Sequence, residues 1–559
     1  MLNNMRHRFL LLISIVSLAI CMSCCNDNEI EQPPVFPPVD DDFETHPGVV
    51  NIEGAVEIVY NKQAVSFKNP YEGKGITITR QEADVVVRST VTDTVFYVIT
   101  GSTMAGSLKM YSDAPVELVM NGVSIVNAKD PALNIQSHKK VNISLIKGTS
   151  NRLAGGTEFV SESGQEDVKA AFFSEGQLIF SGEGGLLVMS RYRHGICSDN
   201  YVRINSGVIT VQPAAKDGIH AKEYVEINGG TITVNSMNDG IKSNGYVRVT
   251  GGSIQITTTG NKAHGINSAT ETTIQTSGEI EIKVQGKAAK AFKSDGNMQI
   301  SQGIVRLTTS GDALYDTEEA DLSSPAGIKC DGNLLISGGQ TVINSSGSGG
   351  KGVNVKGALT INNGELSVTA TGNEFKYRND NTKAKAITND GNLTVSGGSV
   401  YALSATDHAI TSKGAMTVSG GMVIGVTRAA SKKGFDCTKT FKIAGGTLIG
   451  IGGASSLPDA NASTQYSVNY SGSITQNAFF HIASSAGKNV VTYQLPCTLS
   501  KAYVLFSSHD LERNTNYTIS TGGAVSGGSS FNGLYNSATF TGGTTRATFT
   551  VSSIVTNVN

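Results

Sequence analysis

Residues 217–234 read D-G-I-H-A-K-E-Y-V-E-I-N-G-G-T-I-T-V, and residues 239–256 repeat them as D-G-I-K-S-N-G-Y-V-R-V-T-G-G-S-I-Q-I. Each copy holds three short runs in which every second residue is apolar: Gly-Ile-x-small, Val-x-Ile/Val and Ile-x-Val/Ile. Such alternation is the pattern of a half-buried strand, and the Gly-Gly or Asn-Gly between runs marks a tight corner. The motif, sometimes with Ala for Gly, starts again near His194, His264, Lys290, Ala326, Lys351, Lys385, His408 and Lys433. A unit recurring every 22 to 26 residues, with two longer intervals, is the mark of a solenoid whose coils bury a shared core. Three strands per unit predict an all-β chain: a right-handed parallel β-helix of three-stranded coils, followed by a small C-terminal β domain.

The chain's 559 residues exceed one compact core, but a solenoid escapes that limit because each coil packs only on its neighbours. With 64 Gly against 12 Pro, the composition suits tight corners rather than disorder. The formal net charge of −2 gives no pull toward nucleic acid, so none is expected as a partner.

Arg6 and Arg8 precede an apolar run over residues 9–20, too short to span a bilayer. It ends in Cys21-Met22-Ser23-Cys24-Cys25, where a small residue directly before a cysteine resembles the bacterial lipoprotein processing site. Residues 1–23 are therefore expected as a lipoprotein signal peptide, with Cys24 carrying the lipid. Residues 24–47, acidic and proline-rich, are expected as a tether. Residues 48–150 form the N-terminal cap and first coils, 151–454 the β-helix, and 455–559 the C-terminal β domain, which covers the open edge of the last coil. Cys330 and Cys437 stand where other repeats have Ser198, Ser243, Ser268 and Ser294, and are expected as small buried residues.

Aligning the coils on the Gly-Ile pair gives three informative columns. Two positions after Gly stand Cys197, His220, Lys242, Asn267, Lys293, Lys329, Asn354, Thr388, Thr411 and Asp436, polar and outward by the period of two. The next column is small and inward. At ~4.8 Å per coil, the polar column forms a ladder on the order of 45 Å long. Directly before Gly stand His194, Asp217, Asp239, His264, Lys290, Ala326, Lys351, Lys385, His408 and Lys433. Two longer coils carry insertions at 308–325 and 369–383, and insertions on repeat scaffolds gather on one face.

Asp217 and Asp239, one coil apart, could bring their carboxylates within ~5 Å. A Ca²⁺ between them, aided by Asn238, would relieve their repulsion; the plainer reading is two corner aspartates bonding their own turns. Asp312 and Asp316, with Glu318 and Glu319, are a second acidic candidate, or else a solvated loop. Lys242, Lys293 and Lys329 share one column, and Lys290 and Lys351, with Lys385 and Lys433, share its neighbour. Stacked like charges cost stability and invite an anionic ligand such as an acidic polysaccharide; edge protection is the rival explanation. His220 and His264 fall in the same columns. With no Trp in the chain, Tyr315 and Tyr377, beside Phe375, are the obvious sugar platforms.

One further pattern is an order of segments. Val116 to Asn127, then Pro131-Ala132-Leu133-Asn134-Ile135, then Lys147-Gly148-Thr149-Ser150-Asn151, leads into the D-G-I coils and on to Phe506-Ser507-Ser508 and Thr521-Gly522-Gly523. This order resembles a bacterial family of calcium-associated β-helix proteins that bind carbohydrate, known as cellulose and pectin binders. The resemblance implies Ca²⁺ as cofactor and polysaccharide as partner, without cleavage. The expected protein binds a pectin-like acidic glycan, is lipid-anchored, and sits at the outer membrane or cell surface. The alternatives are a β-helix polysaccharide lyase using Ca²⁺ and a lysine base, and a passive surface adhesin or stalk. The sequence carries no signal for oligomeric state.

Overall fold

The computed structural model describes residues 43–45, 47–159, 166 and 168–559. The expected signal peptide, Cys24 and most of the tether lie outside the described residues. Among the described residues every regular element is a strand, about 60% of the chain, and parallel coils stack into a solenoid of about 14 turns. Among the described residues no helix is long and apolar enough to cross a membrane, which says nothing of β-barrel spans.

One coil shows how the repeat builds. Ile219–Ala221, Tyr224–Ile227 and Thr231–Ser236 form its three sides. Each pairs in parallel and in register with its counterpart one coil on: Ile219 with Ile241, Val225 with Val247, Ile232 with Ile254. The first side stacks into a 15-stranded sheet from Ile76–Gln81 to Phe435–Cys437; the other two form one 25-stranded sheet. The aligned Ile, Val or Phe of each coil is buried, as the alternation requires. The small column is buried as expected: Ser198, Ala221, Ser243, Ser268, Ser294 and Cys330 lie inside, while Cys437 is half-exposed.

Glycine at the corner before the short side is there for space. A Cβ on Gly218 would lie 2.2 Å from Val234 Cγ1 and 2.8 Å from the Gly240 carbonyl oxygen. The opposite corner needs glycine for its backbone, since Gly230 has φ 87°.

Two antiparallel hairpins close the N-terminal end, Val56–Asn61 with Ala64–Lys68 and Ile76–Gln81 with Ala83–Ser89. Ahead of them the chain is already docked. Phe43 lies under the Arg152 guanidinium at 4.6 Å, and Gly48 exchanges two hydrogen bonds with Asn121. At the other end Leu499–Ser507 pairs antiparallel with the last coil strand, Phe441–Gly452, and covers its edge. Beyond it lies a six-stranded antiparallel sheet. Ile424, Ile449 and Ile451 of the last coils share one apolar cluster with Val468, Phe480 and Phe506, so the terminal strands extend the solenoid's core.

Two outward assignments differ, Cys197 and Thr411, the latter 6% exposed. Cys197, in the polar column, is 1% exposed and packs on Ala170 and Phe173. The coil before it puts Phe173 in the same column, and an apolar neighbour one strand away shields the thiol.

Candidate carbohydrate-binding face and its corner residues

The pre-glycine residues line the edge of the short sheet, and their backbone N–H groups need acceptors. In four successive coils the preceding side chain provides one. His194 Nδ1 accepts the N–H of Asp217 at 3.3 Å, and Asp217 Oδ1 that of Asp239 at 3.1 Å. Asp239 Oδ1 accepts the N–H of His264 at 2.7 Å, and His264 Nδ1 that of Lys290 at 3.1 Å. The pattern resumes at His408, whose Nδ1 accepts the N–H of Lys433 at 3.0 Å. His and Asp recur in this column because each offers a short-reach acceptor.

A lysine cannot accept, and where Lys290 and Lys351 occupy the column they do something else. Lys290 Nζ donates to the Ala288 carbonyl at 2.8 Å and to Ser323 Oγ, in the first insertion, at 3.0 Å. Lys351 Nζ donates to Thr382 Oγ1 at 3.0 Å and to the Lys383 carbonyl, in the second insertion. Both lysines pin an insertion to the coil. Burial, and then neighbouring lysines, push each down to about 8. His264 and Lys290, expected as open glycan contacts, are only 7% and 9% exposed. The reason is geometric: two positions before the inward Ile, the column starts on the inner side of the corner.

The insertions meet over the lysine column. Hairpins Leu314–Asp316/Asp321–Ser323 and Phe375–Tyr377/Asp380–Thr382 are joined by Tyr315 and Tyr377, stacked at 4.4 Å and 16°. Beneath the first opens a groove of about 740 Å³, lined by His264, Lys290, Lys293, Lys329, Lys351 and Asp316 among others. Tyr315 and Tyr377 spend one ring face each on the other. Asp312 does not line the groove; its Oδ1 accepts the Ser348 N–H at 2.6 Å. Asp316 instead pairs with Lys262 at 2.5 Å.

The groove is less cationic than the lysine columns suggest, with eight lysines and seven carboxylates on its walls. Lys293 pairs with Asp295 at 2.5 Å, Asp331 pairs with Lys329 and, at 2.8 Å, with Lys356, and Asp390 pairs with Lys413 at 2.8 Å. The chain itself supplies much of the compensation for stacked charge. Its signal was present as the spacing Lys-x-Asp at 293–295 and 329–331.

Asp217 and Asp239 stand in register at the next corners. Burial would raise the Asp217 carboxyl, but the His194 and His220 imidazoles beside it, with Lys242, hold it well below the carboxylate range. Burial, then Asp217 itself, raises Asp239. Asn238 donates its amide to Asp217 Oδ1 at 2.6 Å, and Asn267 donates to Asp239 Oδ2 at 2.8 Å. Lys242 Nζ lies 3.6 Å from the same Oδ2. Three of the four carboxylate oxygens are thus occupied by donors, and the fourth, Asp217 Oδ2, faces imidazoles. Ca²⁺ takes six to eight oxygens, and this corner does not fit it.

Two features escaped the sequence reading. Tyr201, Tyr224 and Tyr246 stack at 4.5 and 4.7 Å, with Glu226 tying Arg203, Arg248 and the Tyr246 hydroxyl together. The repeated Tyr-Val pair was legible as a column. Asp407, 2% exposed, keeps Oδ1 without a hydrogen bond, 3.4 Å from Lys432 Nζ and 3.6 Å from His408 Nε2. No repeat marks it, because its column changes character from coil to coil.

Comparison with known proteins bears on the whole face. A family model for carbohydrate-binding domain-containing proteins matches residues 83–348, 259–432 and 323–473. A carbohydrate-binding domain-containing protein of Acetivibrio thermocellus is 28% identical over 168 residues, 30% of this chain and 56% of the relative. The match thus spans little more than half the length of that relative. The solved structure of the polysaccharide lyase-like protein from C. thermocellum, a gadolinium derivative, covers 50% of this chain and 96% of its own at 26% identity, with a TM-score of 0.38. With residues 83–473 matched across the coils and both insertions, this chain belongs to the family of carbohydrate-binding domain-containing proteins.

Proposed function

We propose that the protein binds an acidic polysaccharide along the short sheet, in the groove beneath the insertions, and is held to the cell envelope by a lipid on Cys24. The groove carries the reading: Lys293 and Lys329 stand one coil apart on its floor, Asn354 extends their column, and the hairpin of the first insertion forms its wall through Asp316, Leu322 and Ser323. Glycan carboxylates would exchange with Asp295 and Asp331 for these lysines, and sugar hydroxyls would bond the Asn354 amide beyond them. Affinity for polygalacturonate should fall with salt, since such charges are screened over ~8 Å at physiological ionic strength. The Lys242→Ala/Lys293→Ala/Lys329→Ala variant should keep its melting temperature and lose binding; unchanged affinity would sink the reading. Cys24→Ala should accumulate unprocessed precursor without lipid, and normal palmitate labelling of that variant would refute the anchor.

One observation favours cleavage as a second reading. Lys290, pushed down to about 8 by burial and then by Lys293 and Lys329, lies at the groove as a potential base. Its amine is tied to Ala288 and Ser323 and is nearly buried, which favours a clamp over a base. Unsaturated uronate product from polygalacturonate, lost in Lys290→Met, would establish the lyase instead.

A further inference from the structure

Among the described residues, the one grouping of three His, Cys, Asp or Glu whose ligand atoms all lie within 4.8 Å of one another is His194, Asp217 and His220. It stands apart from the groove. Asp217 Oδ2 is 2.8 Å from His220 Nδ1 and 3.3 Å from His194 Nδ1. His194 Nδ1 accepts the Asp217 N–H, so this nitrogen presents a lone pair. Two acceptors therefore face each other at 3.3 Å, Nδ1 of His194 and Oδ2 of Asp217, with no donor hydrogen between them.

Asp217 is built as a ligand would be. Asn238 and the Asp239 N–H fix its Oδ1, which aims Oδ2 at the two rings. Hydrogen bonds of this kind, from groups that do not touch the ion, orient metal-binding carboxylates. The carboxylate is 1% exposed, while the imidazoles keep 16% and 18%, enough for an ion to enter. Bonds of ~2.0 Å in tetrahedral geometry set ligand atoms about 3.3 Å apart; the His194 separation from Oδ2 matches that value and the His220 separation is 0.5 Å shorter. Lys242, the nearest opposing charge on the next coil, is directed to Asp239.

The geometry points to a divalent transition-metal site, of the Zn²⁺ class, formed by His194, Asp217 and His220. Two imidazole nitrogens and one carboxylate oxygen suit Zn²⁺, Co²⁺ or Ni²⁺ and disfavour Ca²⁺, which wants oxygen alone. Three protein ligands leave a fourth position for water or a ligand oxygen. On binding, the long hydrogen bond from the Asp217 N–H to His194 is given up and the lone-pair conflict is relieved.

The test uses the full chain, stripped with chelator and titrated with Zn²⁺ by calorimetry, with Ca²⁺ as control and Co²⁺ visible spectra as a report on nitrogen ligation. One Zn²⁺ per chain is expected, undisturbed by a large excess of Ca²⁺. His194→Ala and His220→Gln should each weaken binding about tenfold or more, and Asn238→Ala, which touches no metal, by ~10–100-fold. His220→Gln keeps a donor to Oδ2, and metal-free melting curves confirm that each variant folds. Absence of stoichiometric Zn²⁺ binding overturns the site, leaving a hydrogen-bonded His-Asp-His trio. Wild-type affinity in both His194→Ala and His220→Gln overturns it equally.

Discussion

The pre-glycine column performs two tasks in neighbouring stretches of one solenoid. From His194 to His264 its side chains accept the backbone N–H of the next coil; at Lys290 and Lys351 they reach outward and clamp an insertion. The backbone is the same in both stretches, so the chemistry of one side chain decides. An acceptor closes the coil on its neighbour, whereas a donor must find its acceptors elsewhere, and the insertions present a hydroxyl and a carbonyl. A repeat scaffold thereby gains a local elaboration without altering its strands.

The acceptor stretch should be the more sensitive. Asp239→Ala leaves the His264 N–H and the Asn267 amide unpaired in a buried corner. Two lost hydrogen bonds to a charged group, at about 1.5–3 kcal/mol each, should lower stability by ~3 kcal/mol or more in denaturant unfolding. A loss under about 1 kcal/mol would remove the column's structural role.

Acid should expose the same contrast. Burial first, then Lys290 and Lys293, holds His264 well below the ordinary histidine value; burial also lowers His408 despite Asp407. The folded chain then binds fewer protons than the unfolded chain between those depressed values and ~6.5. Stability must fall as pH drops from ~6.5 into that window, by at most ~1.4 kcal/mol per pH unit for each histidine. His264→Asn/His408→Asn, which keeps an acceptor without the titration, should flatten the slope. An unchanged slope would mean these nitrogens do not act as neutral acceptors.

In the clamp stretch the effects should be local. Lys351→Met removes a buried cation whose desolvation offsets its bonds, so global stability should move by less than ~1 kcal/mol. The hairpin at 375–382 should instead be cut faster by protease, and unchanged cleavage would show that the clamp holds nothing. Smallest of all is Asp295→Asn, which frees Lys293 from a half-exposed pair worth ~0–1 kcal/mol. Stability should barely change while polygalacturonate affinity rises; weaker binding would place Asp295 among the ligand contacts.

How much could be read in advance follows from the physics of repetition. Alternation repeated coil after coil, glycine at fixed corners and small residues beside each inward Ile determined the stacked coils, their register and the outward column with Lys242, Lys293 and Lys329. These are local rules imposed many times over, and a repeated signal outweighs exceptions such as Cys197. Likewise the spacing of the longer coils marked both insertions. Tertiary structure alone decided what each charged side chain meets. It seated Tyr315 on Tyr377, set Lys290 and Lys351 against the insertions as clamps, neutralised much of the groove with Asp295 and Asp331, and set His194 and His220 around Asp217 where two aspartates had been expected to share an ion. Burial, hydrogen-bond direction and charge pairing depend on groups from different coils and insertions. Spacing along one chain places those groups in columns, but the packing of neighbouring coils selects the partner.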